Sequence, residues 1–103
     1  MITMKRGDTI PQLSITCSDN GAIVDLSTAT TIKIIASMNN VPVFARTTTG
    51  SSEGIVTMDW QPADTAVPGM LELEVEVTWP QPFAVQTFPA DGVLRVNIEP
   101  DLG

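Results

Sequence analysis

The chain contains no histidine, no tyrosine and a single cysteine, Cys17. Without histidine, Ser-His and Cys-His nucleophile pairs cannot be assembled. One cysteine and no histidine also fail to supply the usual ligands of zinc and most transition metals. A lone cysteine closes no internal disulfide, which excludes the disulfide-stapled secreted class. Cations are few and scattered: Lys5, Arg6, Lys33, Arg46 and Arg95 stand against 12 acids, for a net charge of −7. Nucleic-acid binding needs clustered Lys and Arg that displace counterions from phosphates, so that class is set aside. No apolar run approaches the roughly 20 residues that cross a bilayer. The opening "MITMKRGDTIPQL" has two basic residues with no long apolar stretch behind them, unlike a secretory signal. The expectation is a soluble protein with no membrane partner. No glycine-rich phosphate loop and no EF-hand spacing occurs.

The 103 residues fit one domain, 1–103, large enough for one core but shallow for a secluded active site. Only 17% of the residues are charged, against about 25% in a typical soluble domain. Low charge suits a surface partly covered by neighbours, and so an assembly. Strand signals dominate the walk along the chain. "QLSITCS" alternates and ends at Asp19-Asn20-Gly21, where Asn and Gly tolerate positive φ. "TIKIIASM" puts Ile32, Ile34, Ala36 and Met38 on one side, and Asn39-Asn40 turns it into "VPVFARTTT". Pro42 assigns that arm to a sheet edge, because proline cannot donate to the ladder. "IVTMDW", the long "MLELEVEVTW", "AVQTF" and "VLRVNIE" complete the set, with a turn expected at Pro89–Gly92. About seven short strands and no 3.6-residue period predict an all-β, antiparallel sandwich of immunoglobulin-like type, without the cysteine pair of antibody domains.

"MLELEVEVTWP" alternates almost without fault. Leu71, Leu73, Val75, Val77 and Trp79 share one face of a strand; Glu72, Glu74 and Glu76 share the other. Burying a large apolar side chain is worth about 1.5–3 kcal/mol, whereas unpaired buried carboxylates are strongly unfavourable. The apolar set therefore goes inward. The glutamates face water, or a basic partner. Trp79 is the expected core anchor, with Trp60, Phe83 and Phe88 also structural. Phe44 alternates out of phase with Val43 and Ala45 and is the candidate exposed contact residue. Cys17 follows Leu13 and Ile15 into the core. Asp59, Asp64 and Asp91 lie at strand ends and turns, where Asp commonly makes local hydrogen bonds. They are the candidates for a calcium site or a carboxylate pair, and no enzymatic role is expected. In "RGD", Arg6 to Asp8, the Gly7-Asp8 step reads as a turn that aims Ile10 into the first strand.

Four segments occur in a familiar order: "KRGDTIPQL", "VDLSTAT", "GIVTMDWQPADTAVPGMLELEVEVTWP" and "QTFPADGVLRVNI". In this the chain resembles small tailed-phage and prophage proteins, in particular the N-terminal domain of phage baseplate upper proteins and related immunoglobulin-like virion modules. The resemblance covers nearly the whole chain. Its most specific parts are Trp60, Asp64, Thr65 and Gly69 leading into the acidic strand, and Phe88-Pro89 followed by Gly92. Gln81-Pro82 stands where such proteins often have an Asp-Gly turn. They also continue into a long C-terminal region, whereas this sequence stops at Gly103, as a free-standing module would. The resemblance implies a non-enzymatic virion structural protein, assembled in the host cytoplasm, without cofactor. Its partners would be tail, baseplate or capsid subunits, with multiple copies on a symmetric particle. The alternative from another class is a carbohydrate- or receptor-binding β-sandwich.

Overall fold

A strand whose two faces differ so sharply in polarity requires a sheet with one dry and one wet side. The computed structural model, which describes residues 2–82, 84–89 and 92–102, shows that arrangement. Its strands are β1 (Ile2–Lys5), β2 (Leu13–Thr16), β3 (Ser18–Asp19), β4 (Ala22–Ile23), β5 (Thr31–Met38), β6 (Val41–Thr48), β7 (Ile55–Met58), β8 (Gly69–Thr78), β9 (Val85–Phe88) and β10 (Leu94–Glu99). A single 3₁₀ turn, Pro62–Thr65, lies between β7 and β8. The protein is all-β, and antiparallel pairing dominates.

Six strands form the main sheet, in the order β1-β10-β8-β5-β6, with β9 also paired to β8. β8 is its axis. One edge takes β5 in continuous register, from Thr31 opposite Thr78 to Ser37 opposite Glu72. The other edge is shared: β10 pairs with Gly69 to Leu73 and β9 with Val75 to Thr78. Both run antiparallel to β8, so the chain does not reverse between them. The turn expected at Pro89–Gly92 falls between these two strands, and its residues 90 and 91 lie outside the described set. β1 adds a parallel pair to β10. That strand was not legible in "MITMK", where only Ile2 and Met4 mark the inner face.

Two turns anticipated from their residues close as two-residue hairpins. Asn20 and Gly21 (φ 51° and 81°) join β3 to β4, and Asn39 and Asn40 (φ 53° and 64°) join β5 to β6. Positive φ at both central positions is the type I′ geometry, whose twist matches the strands it connects. Pro42 does lie on an edge strand, and the register shifts beside it, between Ala36 and Ser37.

β2 and β7 pair with each other as a second, smaller layer. Leu13, Ile15, Val56 and Met58 from that layer meet Ile32, Ile34, Leu71, Leu73, Val75, Val77, Val96 and Ile98 from the main sheet in one core. Cys17, Leu26, Trp60 and Phe88 complete it. The chain crosses between the layers at Gly50, which bridges to Val56. A Cβ there would sit 2.8 Å from Leu26 Cβ and Ile32 Cδ1, so only glycine lets the crossing pass.

Ile10 is not aimed into the core; it is 79% exposed, before a cis Ile10–Pro11 bond. Gly7, at φ 84°, does serve a turn, closed by the Asp8 amide donating to the Lys5 carbonyl at 3.1 Å. Trp79 is also corrected: it is half-buried, past the end of β8, and its Nε1 donates to Gln86 Oε1 at 3.2 Å. The more deeply buried tryptophan is Trp60. Phe83 lies outside the described residues.

Leu73 is fully buried at the centre of β8, whereas its neighbour Glu74 is on the opposite face. Leu73→Ala should cost about 2–5 kcal/mol, and Glu74→Ala should change stability by less than about 0.5 kcal/mol. Urea unfolding of both variants checks the pair of values.

Candidate functional site

The wet face of the main sheet is built by the residues between the core positions. From β8 it receives Glu72, Glu74 and Glu76; from β5 Lys33, Ile35 and Ser37; from β10 Arg95 and Asn97. The three glutamates are half-buried among these neighbours, while Leu71, Leu73, Val75 and Val77 are sealed on the other side. The alternation read from the sequence is therefore what the sheet displays.

Register then distinguishes the three acids. Glu72 lies opposite Arg95 of β10, and Glu76 lies opposite Lys33 of β5. Glu74 lies opposite Ile35, and on its other flank it falls between the last residue paired to β10 and the first paired to β9. Directly opposed residues on one face are close enough to interact, so Glu72 and Glu76 each have a cation beside them and Glu74 has none across the strands. The ion pairs among the described residues lie elsewhere: Lys5–Glu99, Arg6–Asp101 and Arg46–Asp64.

Phe44 is corrected as an exposed contact. It pairs with Ala36, whose side chain faces the core, and opposed residues share a face. It is half-buried, its ring edge-on to Trp60 at 6.4 Å between centroids, with the Arg46 guanidinium 4.6 Å above it. The exposed large aliphatic side chains of this strand are Val41 and Val43. With Met38, Ala63 and Val67 they line a shallow groove of about 250 Å³.

Arg46 and Asp64 form a part-buried ion pair that sequence reading missed. Nη1 donates to Oδ2 at 2.7 Å and Nη2 to Oδ1 at 3.0 Å, a two-pronged geometry. The Gln61 amide also donates to Asp64 Oδ2 at 2.8 Å. The carboxylate is buried, and the pair ties edge strand β6 to the 3₁₀ turn. The one available signal was that Arg46 is the only charge in a long Thr- and Val-rich strand. Burial alone would raise the Asp64 pKa, but the Arg46 hydrogen bonds, the Gln61 amide and the Arg46 charge together hold it below the usual carboxylate range.

The other candidates disperse. Asp64 is engaged by Arg46, Asp59 is exposed and accepts from Gln12 Nε2 at 3.0 Å, and Asp91 lies outside the described residues. Among the described residues, no three carboxylate or thiol groups converge as a metal site would require. Arg6 of the "RGD" triplet pairs with Asp101 at 2.7 Å, and the Asp8 carbonyl accepts from Thr65 Oγ1 at 2.9 Å. Cys17 is fully buried, and burial pushes its thiol pKa up. No family model, curated protein or solved structure matches this chain.

Removing Asp64 leaves Arg46 without its carboxylate partner, so Asp64→Ala should cost about 3 kcal/mol. Because the folded pKa of Asp64 is below its unfolded value of about 3.9, its contribution is complete above that value and fades as pH falls through the folded one. The wild type should lose stability on acidification more steeply than Asp64→Ala, as read from urea midpoints across the acid range. Iodoacetamide should label Cys17 only after unfolding, because the reactive species is the thiolate; mass spectrometry before and after urea treatment checks this.

Proposed function

We propose that this protein is a non-enzymatic structural subunit of a tailed-phage virion, assembled in the host cytoplasm and placed at the tail, the baseplate or the capsid surface. Its work is to bind other virion subunits and further copies of itself. The observation that carries the reading is the wet face of the main sheet. A row of three carboxylates is fixed there by burial of the alternate positions, with Glu74 uncompensated across the strands. Such a face attracts a surface that offers a cation at its centre, because complementary charge steers encounter and like charge disfavours wrong partners. The sequence resemblance to immunoglobulin-like virion modules supports the same assignment.

In this reading the architecture is an immunoglobulin-like sandwich. Chain length, dominant antiparallel pairing and two layers over one core favour it. The division into six strands and two is more uneven than the four-and-three of constant-type domains.

A glycan-binding module would offer exposed aromatic faces. Among the described residues, Trp60 and Phe88 are buried, and Phe44 and Trp79 are half-buried, so the observations favour protein partners.

Mass spectrometry of purified particles should find the protein in stoichiometric amounts; its absence would overturn the virion assignment. Reversing Glu72, Glu74 and Glu76 to lysine should lower incorporation about tenfold or more, a loss of at least about 1.4 kcal/mol. The same reversal at Glu53, in an exposed loop, should leave incorporation unchanged. Equal incorporation of both variants would remove the sheet face from the proposal.

A further inference from the structure

The two Asn-led hairpins share a turn geometry but differ in everything that governs asparagine chemistry. Asn20 is followed by Gly21, which has no side chain to obstruct its amide nitrogen. Asn39 is followed by Asn40, whose Cβ stands beside the same nitrogen. The first hairpin is held by two-residue strands, Ser18 opposite Ile23 and Asp19 opposite Ala22, all four exposed. The second closes a pair of eight-residue strands, one of which contributes Ile32, Ile34 and Ala36 to the core.

We propose that Asn20 is a site of spontaneous deamidation and isoaspartate formation in the folded protein. The Gly21 amide nitrogen attacks Cγ of Asn20. A C–N bond forms, the Cγ–Nδ2 bond breaks, and ammonia leaves with the proton of the Gly21 amide. Water then opens the five-membered imide. Attack at the former side-chain carbonyl gives aspartate, and attack at the main-chain carbonyl gives isoaspartate. No oxidant, reductant or enzyme is required.

Ring closure needs a ψ at Asn20 different from that of its left-handed turn conformation. The rate therefore follows local opening of the hairpin. Openings of this kind are frequent where few buried contacts hold a segment, as in β3–β4. The hairpin root is anchored beyond the turn: the Val24 amide donates to the Cys17 carbonyl at 3.0 Å, and the Cys17 amide to the Gly54 carbonyl at 2.7 Å. The core thus stays folded while the turn opens and closes. Both products add one negative charge. Isoaspartate also inserts a methylene into the main chain, which a two-residue type I′ turn cannot accommodate.

The test is incubation of the intact protein at neutral and mildly alkaline pH, with peptide mapping that separates Asn, Asp and isoAsp forms. The expected result is conversion of Asn20 ahead of Asn39 and Asn97, faster as hydroxide rises. The Asn20→Gln variant should show no new acidic species over the same period. A parallel sample unfolded in urea gives the unprotected rate. If Asn20 stays intact in the folded protein while it converts in urea, the hairpin protects it and the proposal is overturned. It is equally overturned if Asn39 converts as fast as Asn20 in the folded protein.

Discussion

The structure depends on the burial of one face of β8. Leu71, Leu73, Val75 and Val77 are all inaccessible, and the strand that carries them is flanked from Glu72 to Thr78 by β5 on one edge, and on the other by β10 from Gly69 to Leu73 and by β9 from Val75 to Thr78. A strand in that position cannot slip by one residue without moving four aliphatic side chains into water and three carboxylates into the core. Its register is therefore firmly set, and with it the placement of every strand that pairs to it.

The same constraint shapes the surface. Because the aliphatic positions are committed inward, Glu72, Glu74 and Glu76 are held outward in a line, at a spacing determined by the strand and not by any interaction among themselves. Lys33 and Arg95 then arrive from β5 and β10 and sit across from two of them. What reads in sequence as a uniform acidic row has, in the folded protein, a cation opposite each end and none opposite Glu74.

A second polar feature works differently. The edge strand β6 has no ladder partner on its outer side among the described residues, and it is fastened near its C-terminal end by the Arg46–Asp64 pair, under which Phe44 and Trp60 pack. Desolvation offsets much of the attraction in a buried ion pair, while removal of one partner leaves an uncompensated charge. Here the pair links the 3₁₀ turn to the sheet edge. It also makes Phe44 part of the packing, so that the apolar side chains left facing water near the hairpin tip are valines.

The amino-acid order alone determined the period-two alternation, the inward and outward sets of β8, the burial of Cys17, the two Asn-led turns and the edge position of Pro42, because each follows from local stereochemistry or from the polarity of neighbours two residues apart. It did not determine that β1 would join β10 in parallel, that β9 and β10 would share one edge of β8, that Trp60 would be buried more deeply than Trp79, or that Arg46 would find Asp64 across 18 positions. Those outcomes rest on contacts between segments far apart in the chain. Alternation assigns a side chain to a face, but only the assembled sheets decide which strands lie next to each other and which faces they cover.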